Sequence, residues 1–256
     1  MRPMLRAHNI EKSFGDHQVL RGIDVEVGPE EAVAIIGANG AGKTTLLKIL
    51  TGVLSADAGK ITLDGDELED LDRREIARRV AVVPQGVPQV FDYTVLEFVL
   101  MGHHARNRRF IPSDDDIDEG RQALQKLELE TFSRRPVSHL SGGELQRALI
   151  ARAIVASVPV WLLDEPTASL DMRHQIAILE QLRNYVDAGN SAISVLHDLA
   201  LVHRFFDRVI ALCDGQIRAD GPPDDVLTPA VVSEIYGVSM ERGKVGDNIV
   251  WVAEGR

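Results

Sequence analysis

A single cysteine, Cys213, in 256 residues excludes an intrachain disulfide framework. It fits a reducing compartment, where a lone buried thiol serves as a small apolar residue. Basic side chains are also scarce. Lys and Arg number 28 against 39 Asp and Glu, a net charge of −11, and that summed field repels nucleic acid and acidic membrane surfaces alike. The local basic spot of Arg73, Arg74, Arg78 and Arg79 reads as a solvated helix face. No long apolar run is present. The nearest, "ALIARAIVASVPVWLL" (148–163), carries Arg152 and Pro159 and falls short of the roughly 18 apolar residues of a membrane span. It reads as a buried helix followed by a buried strand. The opening "MRPMLRAHNI" lacks the apolar core of a signal peptide, and there is no internal repeat or low-complexity tract. The expectation is a cytoplasmic chain whose membrane role, if it has one, comes through a partner.

What is present is a hydrophobic fraction of 45%, enough for a packed core. The first third holds short β-type runs, "LRAHNI", "DVEV", "AVAII" and "KITLDG", the second and fourth alternating with period two. After "VAVVPQ" the texture becomes helical. Thr94 and Glu97 form a capping box, "DIDEGRQALQKLEL" carries Ile117, Leu124 and Leu127 at helical spacing, and a third helix follows Ser141. The acidic run Asp114, Asp115, Asp116, Asp118 and Glu119 reads as a solvated loop entering a helix N-terminus. Strands return in "VWLL", "AISVLH" and "RVIALC", around a helix with Ile176, Leu179, Leu182 and Val186 on one face. Alternating strand and helix imply a mostly parallel sheet, and "CDGQIRADG" signals a hairpin. The expected class is α/β: a parallel sheet core with an antiparallel β margin (1–87 and 158–215), a helical subdomain (88–157) and a C-terminal extension (216–256), within one domain.

"GANGAGKTT" follows the buried strand "AVAII" and opens the apolar helix "LLKIL". Its residues Gly37, Ala38, Asn39, Gly40, Ala41, Gly42, Lys43, Thr44 and Thr45 fit G-x-x-x-x-G-K-[ST], a loop whose backbone N–H groups and helix N-terminus cradle phosphate. Lys43 reaches the outer phosphates and Thr44 takes a Mg²⁺ position. "VWLLDEP" places two carboxylates just past an apolar strand, where ligands of open α/β sheets sit: Asp164 for the metal shell, Glu165 for the attacking water. Acidic residues before a proline are common in loops, but the strand here is too apolar for the surface. Gln85 ends "AVVPQ" and His197 ends "SVLHD". Each alone reads as an ordinary surface or structural residue; together they place polar groups at strand ends that converge.

The remaining puzzle is "LSGGELQR" (140–147). Ser141 and Glu144 make another capping box, which leaves Gly142 and Gly143 unexplained. With this stretch in place the sequence resembles the ATP-binding-cassette (ABC) ATPases over nearly its whole length. The pieces stand in order: Phe14, the phosphate loop, Gln85, the "LSGGELQR" signature, "LLDEP", the "SLD" loop ending at Asp171, and His197. The resemblance implies a P-loop fold and ATP hydrolysis with Mg²⁺. It implies a head-to-tail pair in which Ser141, Gly142 and Gly143 meet the γ-phosphate held by the other copy. Phe14 would stack on adenine, Gln85 contact Mg²⁺ or the water, Glu165 act as general base, His197 contact the γ-phosphate, and Asp171 link the two sites. Ala38, Thr44 and Leu145 stand where proline, serine and a polar residue are usual; none removes a donor or a metal ligand.

Four further stretches are similar to importers of iron chelates (ferric siderophores), haem and cobalamin: "VFDYTVLEFVLMGHHAR", "LDMRHQ", "VLHDLALVHRFFDRVIAL" and "GPPDDVLTPAVVSEIYGVSM". This implies transmembrane permease subunits as partners, a periplasmic or surface substrate-binding protein indirectly, a second copy of the chain, and no nucleic acid. The place of action is the cytoplasmic face of the inner membrane, as a peripheral protein. The extension is too short for an added regulatory domain. His103 and His104 are expected to be solvated or permease-facing rather than metal ligands. The competing readings are a soluble cassette in assembly, as for iron–sulfur clusters, and a cassette for another metal. A tandem-cassette translation or repair factor is disfavoured by the single phosphate loop.

Overall fold

The computed structural model describes residues 4–86, 93–105, 111–246 and 248–253. Val90, Phe91, Asp92 and Arg106 of the importer-like stretch, and with them the expected start of the helical insert at 88, lie outside the described residues. In chain order the elements are β1 (Leu5–Phe14), β2 (His17–Val27), β3 (Ala32–Ile36), α1 (Lys43–Leu50), β4 (Ala58–Leu63), β5 (Asp66–Glu67), α2 (Arg73–Ala77), β6 (Val80–Val83), α3 (Val95–Leu100), α4 (Asp114–Lys126), α5 (Gly142–Ala156), β7 (Val160–Asp164) and α6 (Met172–Asp187). They continue with β8 (Ser191–Val195), α7 (Leu199–Phe205), β9 (Arg208–Cys213), β10 (Gln216–Gly221), α8 (Pro223–Val226), α9 (Pro229–Tyr236), β11 (Met240–Val245) and β12 (Asn248–Ala253).

Six strands form the central sheet in the order β10-β9-β3-β8-β7-β6. All its pairs are parallel except β9 with β10. A parallel strand covered on both faces must be apolar throughout, which is why β3 and β7 read as unbroken apolar runs. Successive side chains point to opposite faces, so each strand feeds two cores. Trp161 and Leu163 of β7 face a core shared with α3 to α7, whereas Val160 and Leu162 face α1 and the antiparallel sheet. That second sheet, β2-β1-β4-β5, is the antiparallel margin, and "DVEV" shows the expected alternation, with Val25 and Val27 buried and Asp24 and Glu26 exposed.

The helical layer is started by side-chain caps. Thr94 and Glu97, Ser113 and Asp116, and Ser141 and Glu144 each form a complete capping box on α3, α4 and α5, satisfying N–H groups that a helix start otherwise leaves unpaired. The acidic run is the first turns of α4 itself rather than a loop before it.

Three expectations need correction. The sheet does not stop at residue 215, because the Asp214–Gly215 turn joins β9 to β10 within it, so the C-terminal extension proper starts after Gly221. Cys213 is half-buried rather than enclosed. His103 is not at the surface: it is 5% exposed, since the 101–105 turn packs against α5 and α3, and Asp116 Oδ1 and Glu119 Oε2 of α4 each lie 3.7 Å from its Nε2. His104 is exposed. No helix among the described residues is long and apolar enough to cross a membrane.

Leu162, fully buried in an interior strand, sets a test of this layering. Leu162→Ala is expected to cost about 2–5 kcal/mol in urea unfolding, whereas Val252→Ala on the exposed face of β12 should stay within about 0.5 kcal/mol.

Candidate functional site

Because β3, β6, β7 and β8 run parallel, their carboxyl ends share one edge of the sheet. β3 passes there into the glycine-rich loop and α1. β6 passes into Gln85, β7 ends at Asp164 with Glu165 next, and β8 delivers His197 two residues beyond its end.

Gly42 caps α1 in the left-handed region at φ 101°, and a Cβ there would lie 2.7 Å from Leu20 Cδ2. Both facts require glycine. Lys43 is 6% exposed and its Nζ donates to the carbonyls of Gly37 at 2.8 Å and Ala38 at 2.9 Å. The ammonium therefore sits inside the curl of the loop. Burial lowers its pKa, while the Glu165 and Asp164 carboxylates pull the other way.

Asp164 is 8% exposed. Burial raises its pKa, opposed by a hydrogen bond from the Thr44 side chain and reinforced by the charge of Glu165. Its Oδ1 is buried with no hydrogen-bond partner. An unpaired carboxylate oxygen beside a threonine hydroxyl is the hard-oxygen donor set that Mg²⁺ takes, so these residues fit the expected metal.

Glu165 adopts φ 50°, a region that non-glycine residues enter at a cost and that clusters at functional sites. The carboxylate is thereby turned between two neighbours. Gln85 Nε2 donates to its Oε2 at 2.8 Å, and His197 Nε2 lies 2.7 Å from its Oε1. Gln85 and His197, expected to converge from separate strand ends, both reach the Glu165 carboxylate, and the three form a hydrogen-bonded triad. Asp198, which the sequence reading passed over, accepts from the N–H groups of Ala200 and Leu201 and starts α7 directly after His197. An aspartate before the apolar run "LALVHRF" is the signal that identifies it.

A second group forms around the signature. Ser141 is the cap of α5, with Glu144 Oε2 accepting from its N–H at 2.7 Å, and that bond holds the Glu144 carboxyl below its ordinary pKa. A Cβ on Gly143 would stand 3.1 Å from both Ser169 O and Leu170 Cδ2, whereas one on Gly142 would meet only ordinary contact at 3.8 Å. Gly143 thus has a reason within its own chain, close packing on the "SLD" loop, while Gly142 does not. Leu145, where a polar residue was usual, is buried in the core. Asp171 caps α6, accepting from His174 N at 3.0 Å and meeting His174 Nδ1 at 2.8 Å; the backbone bond lowers its pKa. Phe14, 53% exposed, ends β1 with the Lys12 ammonium 5.7 Å from its ring centroid.

A glycine-rich loop between a buried parallel strand and a helix, with an acidic strand end beside it, defines a P-loop nucleotide hydrolase. The chain belongs to the ABC transporter family, whose family profile matches residues 20–168. It is 41% identical over 239 residues to the hemin import ATP-binding protein HmuV of Streptomyces coelicolor, covering 93% of this chain and 82% of that one. A metal-chelate type ABC transporter in an inward-facing conformation superposes with a TM-score of 0.84 at 25% identity, over 100% of this chain and 99% of the other. A bacterial ABC transporter cassette solved as a dimer gives 0.78 at 27% identity, over 86% and 99%.

Ionised Asp164 is a cost to the fold. Its pKa is raised on folding, so the native state holds the proton more tightly than the unfolded chain does. Its effect is therefore a loss of stability as pH rises from the ordinary carboxylate range through its folded pKa, complete above that. Asp164→Asn should raise Tm without Mg²⁺ at neutral pH by about 2–4 °C. The same variant should lose the Tm increase that Mg²⁺ and ATP give the parent chain. An unchanged Mg²⁺ response would remove Asp164 from the metal shell.

Proposed function

We propose that this chain is the ATP-hydrolysing subunit of an importer, driving uptake of an iron chelate, haem or cobalamin through partner permease subunits at the cytoplasmic face of the membrane. Haem is the first cargo to test. The observation that carries the ATPase reading is the Gln85–Glu165–His197 triad standing at the strand edge that also holds Lys43 and Asp164. The 41% identity to a hemin import subunit supports the haem reading, and the importer-like stretches support the wider class.

In this reading the backbone N–H groups of residues 37–45 cradle the phosphates of ATP, and Phe14 offers its exposed ring to the adenine. The Lys43 ammonium leaves the carbonyls of Gly37 and Ala38 for the β- and γ-phosphates, neutralising charge that develops during transfer. Thr44 and Asp164, with Gln85, would hold Mg²⁺, which would supply neutralisation of phosphate charge. Glu165 accepts the proton of the attacking water at a carboxylate oxygen, oriented by Gln85 and His197. His197 then serves the γ-phosphate. Catalysis comes from positioning and electrostatics, since transfer to water needs little covalent participation by the protein.

Ser141 and Gly142 face outward at the N-terminus of α5, a 15-residue helix, and serve the γ-phosphate held by a second copy of the chain. Asp171, one loop away, links the two sites. The outer part of the helical subdomain meets the permease, and a substrate-binding protein acts only through it. ATP binding closes the pair and hydrolysis reopens it.

Glu165→Gln is expected to retain ATP binding, lower turnover by about 10²–10⁴-fold and accumulate an ATP-bound dimer on size exclusion; ordinary turnover would rule out Glu165 as the base. Ser141→Arg should leave nucleotide binding to the monomer intact and abolish that dimer. With the neighbouring permease in liposomes, turnover should rise when a binding protein carries haem. A rise only with ferric siderophore or cobalamin reassigns the cargo, and a response only to soluble partners supports the assembly reading instead.

A further inference from the structure

The stretch "LDMRHQ" (170–175) supplies more than Asp171. Gln175, in the first turn of α6, reaches back to the loop that precedes the helix. Its side-chain amide donates to the carbonyl of Thr167 at 3.2 Å and to that of Leu170 at 3.1 Å. One NH₂ group thus spends both of its hydrogens on the two ends of a four-residue turn, which is itself closed by the Leu170 N–H donating to the Thr167 carbonyl at 3.3 Å. The same turn seats the signature: Ser169 O and Leu170 Cδ2 are the atoms that a Cβ on Gly143 would meet at 3.1 Å. Arg173 and His174 add a second tie, lying 2.5 and 4.0 Å from the Glu128 carboxylate just past α4. The Arg173–Glu128 pair is exposed, and such surface pairs contribute little, so the Gln175 amide is the main side-chain tie on the turn.

This turn lies between two functional groups, since Glu165 stands two residues before Thr167 and Asp171 directly follows Leu170. The Glu165 end has restraints of its own. Gln85 and His197 meet its carboxylate, and its N–H donates to Val195 O at 3.2 Å. At the other end Ser169, Asp171 and Met172 are exposed, Met172 at 75%. There the bonds from Gln175 and the packing on Gly143 hold the loop from within its own chain. We infer that Gln175 is a positioning residue for the composite site: by holding two carbonyls it fixes where the "SLD" loop, and the Ser141–Gly143 signature packed on it, stand toward the nucleotide of a second copy. Gln175 acts through the loop and is not a catalytic residue. Its effect falls on the second copy's site rather than on the phosphate loop of its own chain. The inference rests on the head-to-tail pair proposed above.

Gln175→Leu keeps much of the side-chain volume and removes the amide. In the full chain, ATP binding to the monomer should stay within about twofold of the parent while turnover at saturating ATP falls about 10- to 100-fold, the effect of misplacing a group by an ångström or less. Mixing this variant with an Asp164→Asn chain should restore part of the turnover, because one of the two composite sites in the mixed pair carries neither change. Ser141→Ala mixed with Asp164→Asn is the reference for such restoration. Parent-like turnover in Gln175→Leu would overturn the role. So would loss of ATP binding to the monomer, which would place the residue in its own chain's site. Restoration by the reference pair but not by Gln175→Leu has the same meaning, since a chain that is misfolded or damaged in its own site gains nothing from an Asp164→Asn partner. If the reference pair itself shows no restoration, it is the head-to-tail reading that fails, and the inference with it.

Discussion

The Glu165 carboxylate is the point on which the site turns. Each of its oxygens has one neighbour, Gln85 from the end of β6 and His197 from beyond β8, while its backbone follows directly from β7. Three strands are thus tied at their carboxyl ends by two hydrogen bonds. The arrangement is possible because β6, β7 and β8 are adjacent and parallel; an antiparallel neighbour would send its end to the far edge. A one-residue slip in register would exchange the side chains that each strand sends to its two cores. The two cores that fix the register therefore also fix the chemistry. The left-handed backbone at Glu165 is the local cost of aiming the side chain between its partners.

Around this triad the charges are managed by burial. Lys43 and Asp164 are each nearly enclosed, and each is shifted toward its neutral form by desolvation. Each has an incomplete set of partners suited to a phosphate or a cation rather than to the fold alone. Lys43 is held by loop carbonyls and Asp164 leaves one oxygen unpaired. Such a site is less stable than it could be, the usual relation between activity and stability.

Much of this was legible from sequence because parallel α/β topology forces it. Apolar runs buried on both faces announce the strands, and the polar residue just past each run must stand at the shared edge. Gln85, Asp164, Glu165 and His197 were found that way, and the Ser141 cap by its spacing to Glu144. What was hidden depends on packing between distant elements. His103 reads as a surface histidine because nothing near it in sequence shows that α5 will pack on its turn. The close approach of Gly143 to Ser169 joins residues 26 positions apart. The sheet's last strand, β10, looked like the start of an extension because a hairpin carries no mark of whether its second strand joins the sheet.

The central claim is that each chain carries the triad and phosphate loop of one site and the signature of another. The most direct measurement is ATP turnover per chain as protein concentration is lowered across the range where the pair dissociates. A head-to-tail pair gives specific activity that falls steeply on dilution, and mixing an Asp164→Asn chain with a Ser141→Ala chain, which keeps the interface open, leaves one composite site intact and restores part of the activity. Specific activity independent of concentration, with no restoration on mixing, would mean that one chain holds a complete site and would contradict it.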